Sequence, residues 1–307
     1  MNYLVVLVLV LLTTAASAET WRVALIGDTP YSDYERRELQ TMLGAIAEEG
    51  IDLLIHAGDI KHSQDACSDA LFDDRRALFA ASPAPLVYVP GDNEWTDCAK
   101  VIAGHHDPLE RLAALRTRFF ADEESLGTRR IPLERQSGIY REHQRWRLGP
   151  VLFITLNVPG PTNNWHRDGR ESSEARGRMA EVLTWLRESF AIARKDKARG
   201  VVVTMQANPG FKHERAGLPH RAFRELLSAL REETLQFPGQ VLLVHGDTHW
   251  QRVDQPMFHP QTGKRIRNFT RAETFGYPYL GWVRLTIDDA SESLFRLEPR
   301  PWSSPAP

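Results

Sequence analysis

Six short stretches of the chain, at 21–27, 52–57, 86–90, 151–157, 201–206 and 241–245, are apolar almost without interruption. Runs of this length, rich in Val, Leu and Ile, read as strands buried on both faces. Helical periodicity appears between them. Ser32 and Glu35 form a capping box ahead of Leu39, Met42, Leu43 and Ile46, which share one face, and Gly50 can end that helix. Asp107, Pro108 and Glu110 open a second helix, which carries Leu112, Leu115 and Phe119. A long third helix covers 172–199 with Met179, Val182, Leu183, Leu186 and Phe190 inward, and Phe223, Leu226, Leu227 and Leu230 mark a fourth. This alternation predicts an α/β fold. Two strand-like runs within 139–157, joined by Leu148-Gly149-Pro150, and the chain after Asp254 break the rhythm and predict a second, more antiparallel sheet.

The ends differ from the body. Residues 1–18 have an apolar centre from Tyr3 to Leu12 and a small-x-small ending at Ala16 and Ala18, so they read as a signal peptide cleaved before Glu19, for a secreted or periplasmic product. The run is shorter than the ~20 residues of a membrane span. Residues 19–298 are expected to form a single domain, and 299–307, rich in Pro and Ser, a tail without order. The chain has 38 basic and 40 acidic residues, which gives a net charge of −2 and argues against a nucleic-acid polyelectrolyte partner. Its two cysteines, Cys67 and Cys98, fit neither a redox C-x-x-C motif nor a metal site, and in an exported chain they predict a structural disulfide. Both follow adjacent strands and should meet on one rim.

Chemistry enters at the strand ends. Four of the apolar runs finish in Gly-Asp, giving Asp28, Asp59, Asp92 and Asp247, and these are the only four Gly-Asp dipeptides in the chain. Ligands of open α/β sheets bind at the carboxyl ends of strands. Four carboxylates there would repel one another unless positive charge, such as a divalent metal ion, sat among them.

In chain order "GDTPY" at 27, "HAGDIKH" at 56, "PGDNEW" at 90, "QANP" at 206 and "HGDTH" at 245 resemble the motifs of the calcineurin-like metallophosphoesterases. The resemblance implies a four-layer α/β/β/α sandwich and one or two divalent metal ions at the strand ends. It also implies a small phosphorylated substrate, a phosphate mono- or diester hydrolysed by a metal-bound hydroxide. Carried over residue by residue, the metal ligands are Asp28, Asp59 in the bridging position, Asp92, Asp247 and His249, with Gln206 or Asn208 where the family has a lone histidine. Pro30 stands where the family's D-x-H histidine belongs, which leaves His62, Tyr31 or a water to replace it. Asn93 falls on the family's catalytic histidine, so an acid must come from Glu94, His105 or His106. A ligand set rich in oxygen favours Mn, Mg or Ca over Zn or Fe.

His56 and His245, two residues before site acids on strands, are expected to support the ligands from behind. Asn163, Asn164 and Arg271 are candidate phosphate contacts, His213 is a candidate to face the site, and Trp95 is expected to pack against the motif loop. The competing reading is a metal- or phosphate-binding protein on the same scaffold without catalysis.

Overall fold

The computed structural model describes residues 19–218 and 220–304, so the expected signal peptide and the last three residues lie outside the described residues. β1 (Thr20–Ile26), β2 (Leu53–His56) and β3 (Leu86–Tyr88) run parallel. β11 (Gly281–Asp288) and β12 (Phe295–Pro301) complete this sheet antiparallel, in the order β12-β11-β1-β2-β3. The second sheet contains β4 (Glu134–Arg135), β5 (Gln144–Leu148), β6 (Val151–Thr155), β7 (Gly200–Thr204), β8 (Gln240–His245), β9 (Arg252–Asp254) and β10 (Phe269–Glu273). Its order is β4-β5-β6-β7-β8-β10-β9, parallel through β6, β7, β8 and β10 and antiparallel at both edges.

The uninterrupted apolar runs follow from burial on both faces. Val23 and Leu25 of β1 meet Phe153, Leu242 and Val244 between the two sheets, while Ala24 and Ile26 turn outward onto helices. In β8, Leu242 and Val244 point into the inter-sheet core, and Val241 and Leu243 pack on the outer helices. α1 (Asp33–Glu48), α2 (Asp69–Ala80) and α3 (Pro108–Phe119) cover the first sheet; α4 (Ser173–Lys195) and α6 (Arg224–Gln236) cover the second. The result is the four-layer α/β/β/α sandwich. A short helix, α5 (Phe211–Arg215), stands at the rim.

Two features depart from the sequence reading. α2 was not among the expected helices, because Arg75 interrupts its apolar face; Arg75 lies flat in the core and donates from Nε to the Ile60 carbonyl at 2.8 Å. The expected unstructured tail begins too early: Pro299 to Pro301 belong to β12, and Trp302 donates its backbone N–H to Leu280 O and its indole N–H to Glu38. β12 is an edge strand, where a proline's missing N–H leaves no partner unsatisfied.

Candidate metal centre

β1, β2 and β3 of one sheet and β8 of the other end at a common rim, and each delivers its Gly-Asp pair there. The glycines serve the neighbouring acids. A Cβ on Gly91 would overlap Asp59 Oδ1, and a Cβ on Gly246 would overlap Asp28 Oδ2, so these two motifs make room for the carboxylates of two others. Asp28, Asp59, Asp247 and His249 take left-handed backbone conformations, with φ of 50°, 59°, 77° and 55°. Such conformations are strained for residues with side chains and cluster at functional sites. One consequence is visible at Asp247, whose N–H donates to Asp28 Oδ1 at 3.0 Å.

Asp59 sits at the centre. Its Oδ1 accepts from Asn93 N–H at 3.0 Å, and its Oδ2 accepts from the Tyr31 hydroxyl and the Gln206 amide, both at 3.1 Å. Tyr31 is placed from behind, since its own N–H donates to Glu35 of the capping box at 2.7 Å. Among the described residues no three His, Cys, Asp or Glu side chains converge as a ready ligand cluster. Tyr31 supplies the missing member of an arc. Asp28 Oδ1 lies 3.6 Å from His249 Nε2, which lies 3.3 Å from Tyr31 Oη, which lies 3.1 Å from Asp59 Oδ2. Donors placed ~2.0–2.2 Å around a small cation are spaced about 3 to 3.5 Å apart, and the neighbouring members of this arc, at 3.1, 3.3 and 3.6 Å, lie close to that spacing. Asp92 adds a buried carboxylate oxygen, Oδ1, with no hydrogen-bond partner.

Charge points the same way. Burial, then the neighbouring acids Asp92, Glu94 and Asp28, holds the Asp59 carboxyl well above the usual range. Burial dominates at Asp28 and Asp92 as well, with Asp247 the largest repelling charge on each. Asp247 is pushed up to about 6 by burial, against the Asn208 N–H bond that favours its ionised form. Among the described residues no Lys or Arg forms an ion pair with any of these four acids, and a bound cation would restore their ionisation.

Several expected participants point elsewhere. Gln206 turns its oxygen to Gly160 N–H at 2.5 Å and its nitrogen to Asp59, so it orients that acid and offers no oxygen to an ion. Asn208 bonds Thr248 and Gly210 through its side chain, outside the acid group. Glu94 is fully buried, and its Oε1 accepts from Gly91 N, Tyr88 Oη and Asp59 N at 2.6, 2.7 and 3.1 Å; it ties the turn together and cannot reach a substrate. His105 and His106 do not line the cleft, whereas His62 does, edge-on to Tyr31.

His56 accepts from Gly58 N–H at Nδ1 and bonds the Thr29 carbonyl through Nε2 at 2.7 Å, which fixes it as a neutral support for the first two motifs; burial lowers it to about 4. His245 is buried against Gly246 O with Glu273 4.0 Å from its Nε2, and burial lowers it to about 3. Asn163 accepts from Arg178 at 2.6 Å, beneath the surface. Asn164 lines the cleft but donates to Glu174 at 2.7 Å, and Arg271 pairs with Asp254 beside a second cleft that His213 also lines. Trp95 is fully buried, with Arg178 5.2 Å above its ring, so it contacts no ligand.

Three contributors escaped sequence reasoning. Asn93 lines the cleft, and its amide donates to Tyr31 Oη at 3.0 Å and Lys61 O at 3.1 Å. Lys61 itself is wholly buried, donates from Nζ to His62 O at 3.0 Å, and feels the charges of Glu94 and Asp59. Tyr277 accepts from His249 Nδ1 at 2.8 Å and stacks on Tyr31 at 6.0 Å. Glu273 ends β10 as a fully buried acid paired to Arg252; it has no preceding glycine, so the Gly-Asp search passed over it. Cys67 and Cys98 form a disulfide with a Cα separation of 5.7 Å, and both sulfurs lie close to Asn93 O, at 3.7 and 3.8 Å. The bridge therefore clamps the Asp92-Asn93 turn to the segment after Asp59.

A family model described as calcineurin-like phosphoesterase matches residues 22–251. Among solved structures, a dimetal phosphatase from Danio rerio superposes with a TM-score of 0.56 at 13% identity, over 92% of this chain and 96% of that one. A purple acid phosphatase from yellow lupin (Lupinus luteus) seeds gives a TM-score of 0.60 at 14% identity, and there 92% of this chain spans 52% of the lupin chain. No curated protein matches the chain by sequence. At such identities the structures speak for the fold alone, while the family match extends over every Gly-Asp motif in the rim: the chain belongs to the calcineurin-like phosphoesterase family.

Proposed function

We propose that the protein is a phosphoesterase that works with one or two divalent cations held by Asp28, Asp59, Asp92, Asp247 and His249, with Tyr31 closing the arc. The observation that carries this reading is the gathering of four acids on one rim with no Lys or Arg in an ion pair with any of them among the described residues. Bound cations would offset that charge and polarise both water and the phosphoryl oxygens. Oxygen donors outnumber the single imidazole, which favours Mn, Mg or Ca over Zn or Fe.

The chain's own groups do the positioning. Gln206, Asn93 N–H and Tyr31 hold Asp59 in one orientation. Lys100 and Arg167 line the same cleft; Lys100 is paired with Asp97, and Arg167, which has no carboxylate at ion-pair distance among the described residues, suits a phosphate oxygen. Asn93 spends its amide hydrogens within the fold, on Tyr31 Oη and Lys61 O, so it positions Tyr31 and protonates nothing.

Turnover of phosphomonoester or phosphodiester probes by the mature protein is expected with at least one of Mn, Mg, Ca, Zn or Fe, and is expected to vanish in Asp59→Asn. Absence of turnover with every cation would refute the reading. Asn93 also motivates a second reading, a cation- or phosphate-binding protein without catalysis; tight Mn binding with no hydrolysis would select it. Export is part of the proposal: the disulfide suits an oxidising compartment, and the isolated protein should begin at Glu19 by mass analysis. Retention of Met1 would overturn it.

A further inference from the structure

A second cleft opens beside the acid rim and shares Pro161 and Asp247 with it; it is the larger of the two, about 950 Å³ against about 570 Å³. Its character is opposite. Lys212 and Arg215 on α5, together with Arg265, line it, and among the described residues none has a carboxylate at ion-pair distance. Arg252 and Arg271 line it too but are already neutralised by Glu273 and Asp254. The Arg215 guanidinium rests 4.2 Å over the Phe258 ring and Arg265 lies 5.7 Å from the same ring, so both planes are held while their N–H edges stay free. Trp250, which directly follows His249, is 71% exposed at this wall.

A second observation comes from the acid cleft. Asn93 cannot give a proton to a departing oxygen. An alkoxide leaving group needs that proton, whereas a phosphate leaves as a stable anion without it.

We propose that the substrate's leaving group is itself anionic and carries a planar ring, as in a nucleoside diphosphate. The terminal phosphoryl group sits at the acid rim, the departing nucleoside monophosphate lies in the basic cleft, and its ring stacks on Trp250. Water forms the new O–P bond, the P–O bond to the bridging oxygen breaks, and its electron pair stays on the departing phosphate. The water's proton passes to solvent, and the products are inorganic phosphate and the nucleoside monophosphate. This assignment rests on the phosphoesterase reading.

The test compares adenosine diphosphate with p-nitrophenyl phosphate, whose leaving group carries no phosphate, in the presence of the activating divalent cation. The double variant Lys212→Glu, Arg215→Glu should lower the ratio of kcat/KM for the diphosphate over the nitrophenyl ester at least about tenfold, and weaken equilibrium binding of adenosine monophosphate by a similar factor. Arg265→Ala should shift both in the same direction by less. An unchanged ratio in an active enzyme would overturn the assignment, and so would unchanged monophosphate affinity. If the wild type turns over no substrate yet binds the monophosphate through Lys212 and Arg215, the phosphoesterase reading falls and the cleft stands.

Discussion

The acid rim and the basic cleft share Asp247 but are built by different means. The rim comes from strand ends, where regular backbone fixes each acid and the glycines of two motifs admit the carboxylates of two others. The cleft comes from α5 and the loops on either side of β9, where cations rest on aromatic faces. One half repels itself and calls for cations; the other has positive charge to spare and calls for an anion. A substrate with two phosphates would satisfy both at once, which neither half alone would indicate.

The contrast can be broken most sharply at Asp59. Asp59→Asn removes the shared central carboxylate and should lower hydrolysis about a thousandfold, in line with losses on removing a group aimed at a transition state. Without cation the same variant should melt higher than wild type, because a repelling buried acid has gone. Scanning calorimetry in chelator decides that point. If it melts lower, the repulsion argument fails.

Next in size is the disulfide that braces the acid rim only. Its loop of 31 residues restricts the unfolded chain by about 3 to 4 kcal/mol in the loop-entropy model. Cys67→Ser with Cys98→Ser should lose that much stability in denaturant titration and loosen the Asp92-Asn93 turn, with activity falling while adenosine monophosphate binding in the basic cleft persists.

A buried histidine outside both clefts gives a control. Burial lowers His143 to about 4, so its neutral form is the one the fold accepts. Because the folded value lies below the unfolded one, the unfolded chain binds the extra proton first. The stabilising contribution is complete above pH ~6.5 and is lost as pH falls through about 4, up to about 3 kcal/mol. His143→Gln should flatten that limb of the stability profile with cation present or absent; an unchanged profile would count against the burial argument.

Cation itself should raise stability by about 2.7 kcal/mol at a hundredfold excess over its dissociation constant. Asp28→Asn should abolish that gain, and Lys212→Glu should not. The smallest effect is expected at Trp250→Ala, a loss of about 1 kcal/mol in adenosine monophosphate affinity with little change for inorganic phosphate.

The contrast also explains what could be read in the chain beforehand. Strands buried on both faces leave apolar runs that end visibly, so Asp28, Asp59, Asp92 and Asp247 stood out, and the capping signals of Ser32 and Asp107 located α1 and α3. The role of Gln206 was not legible, because a distant N–H, that of Gly160, decides which end of the amide faces Asp59. Glu94 looked like an acid for catalysis, yet Tyr88 of β3 and the N–H groups of Asp59 and Gly91 pull it beneath the rim. α2 was hidden by an arginine on its core face, and the proline-rich end concealed an edge strand. The basic cleft left no local signal at all, since Lys212, Trp250 and Arg265 meet only through the fold.

The strand-end acids are proposed to hold the divalent cation that phosphoester hydrolysis uses. Titrating Mn into chelator-treated protein, while following both calorimetric binding and p-nitrophenyl phosphate hydrolysis, tests it most directly. Saturable binding and activity rising together, both lost in Asp59→Asn, is the predicted result. Hydrolysis that persists in chelator, or that Asp59→Asn leaves at the wild-type rate, would overturn it.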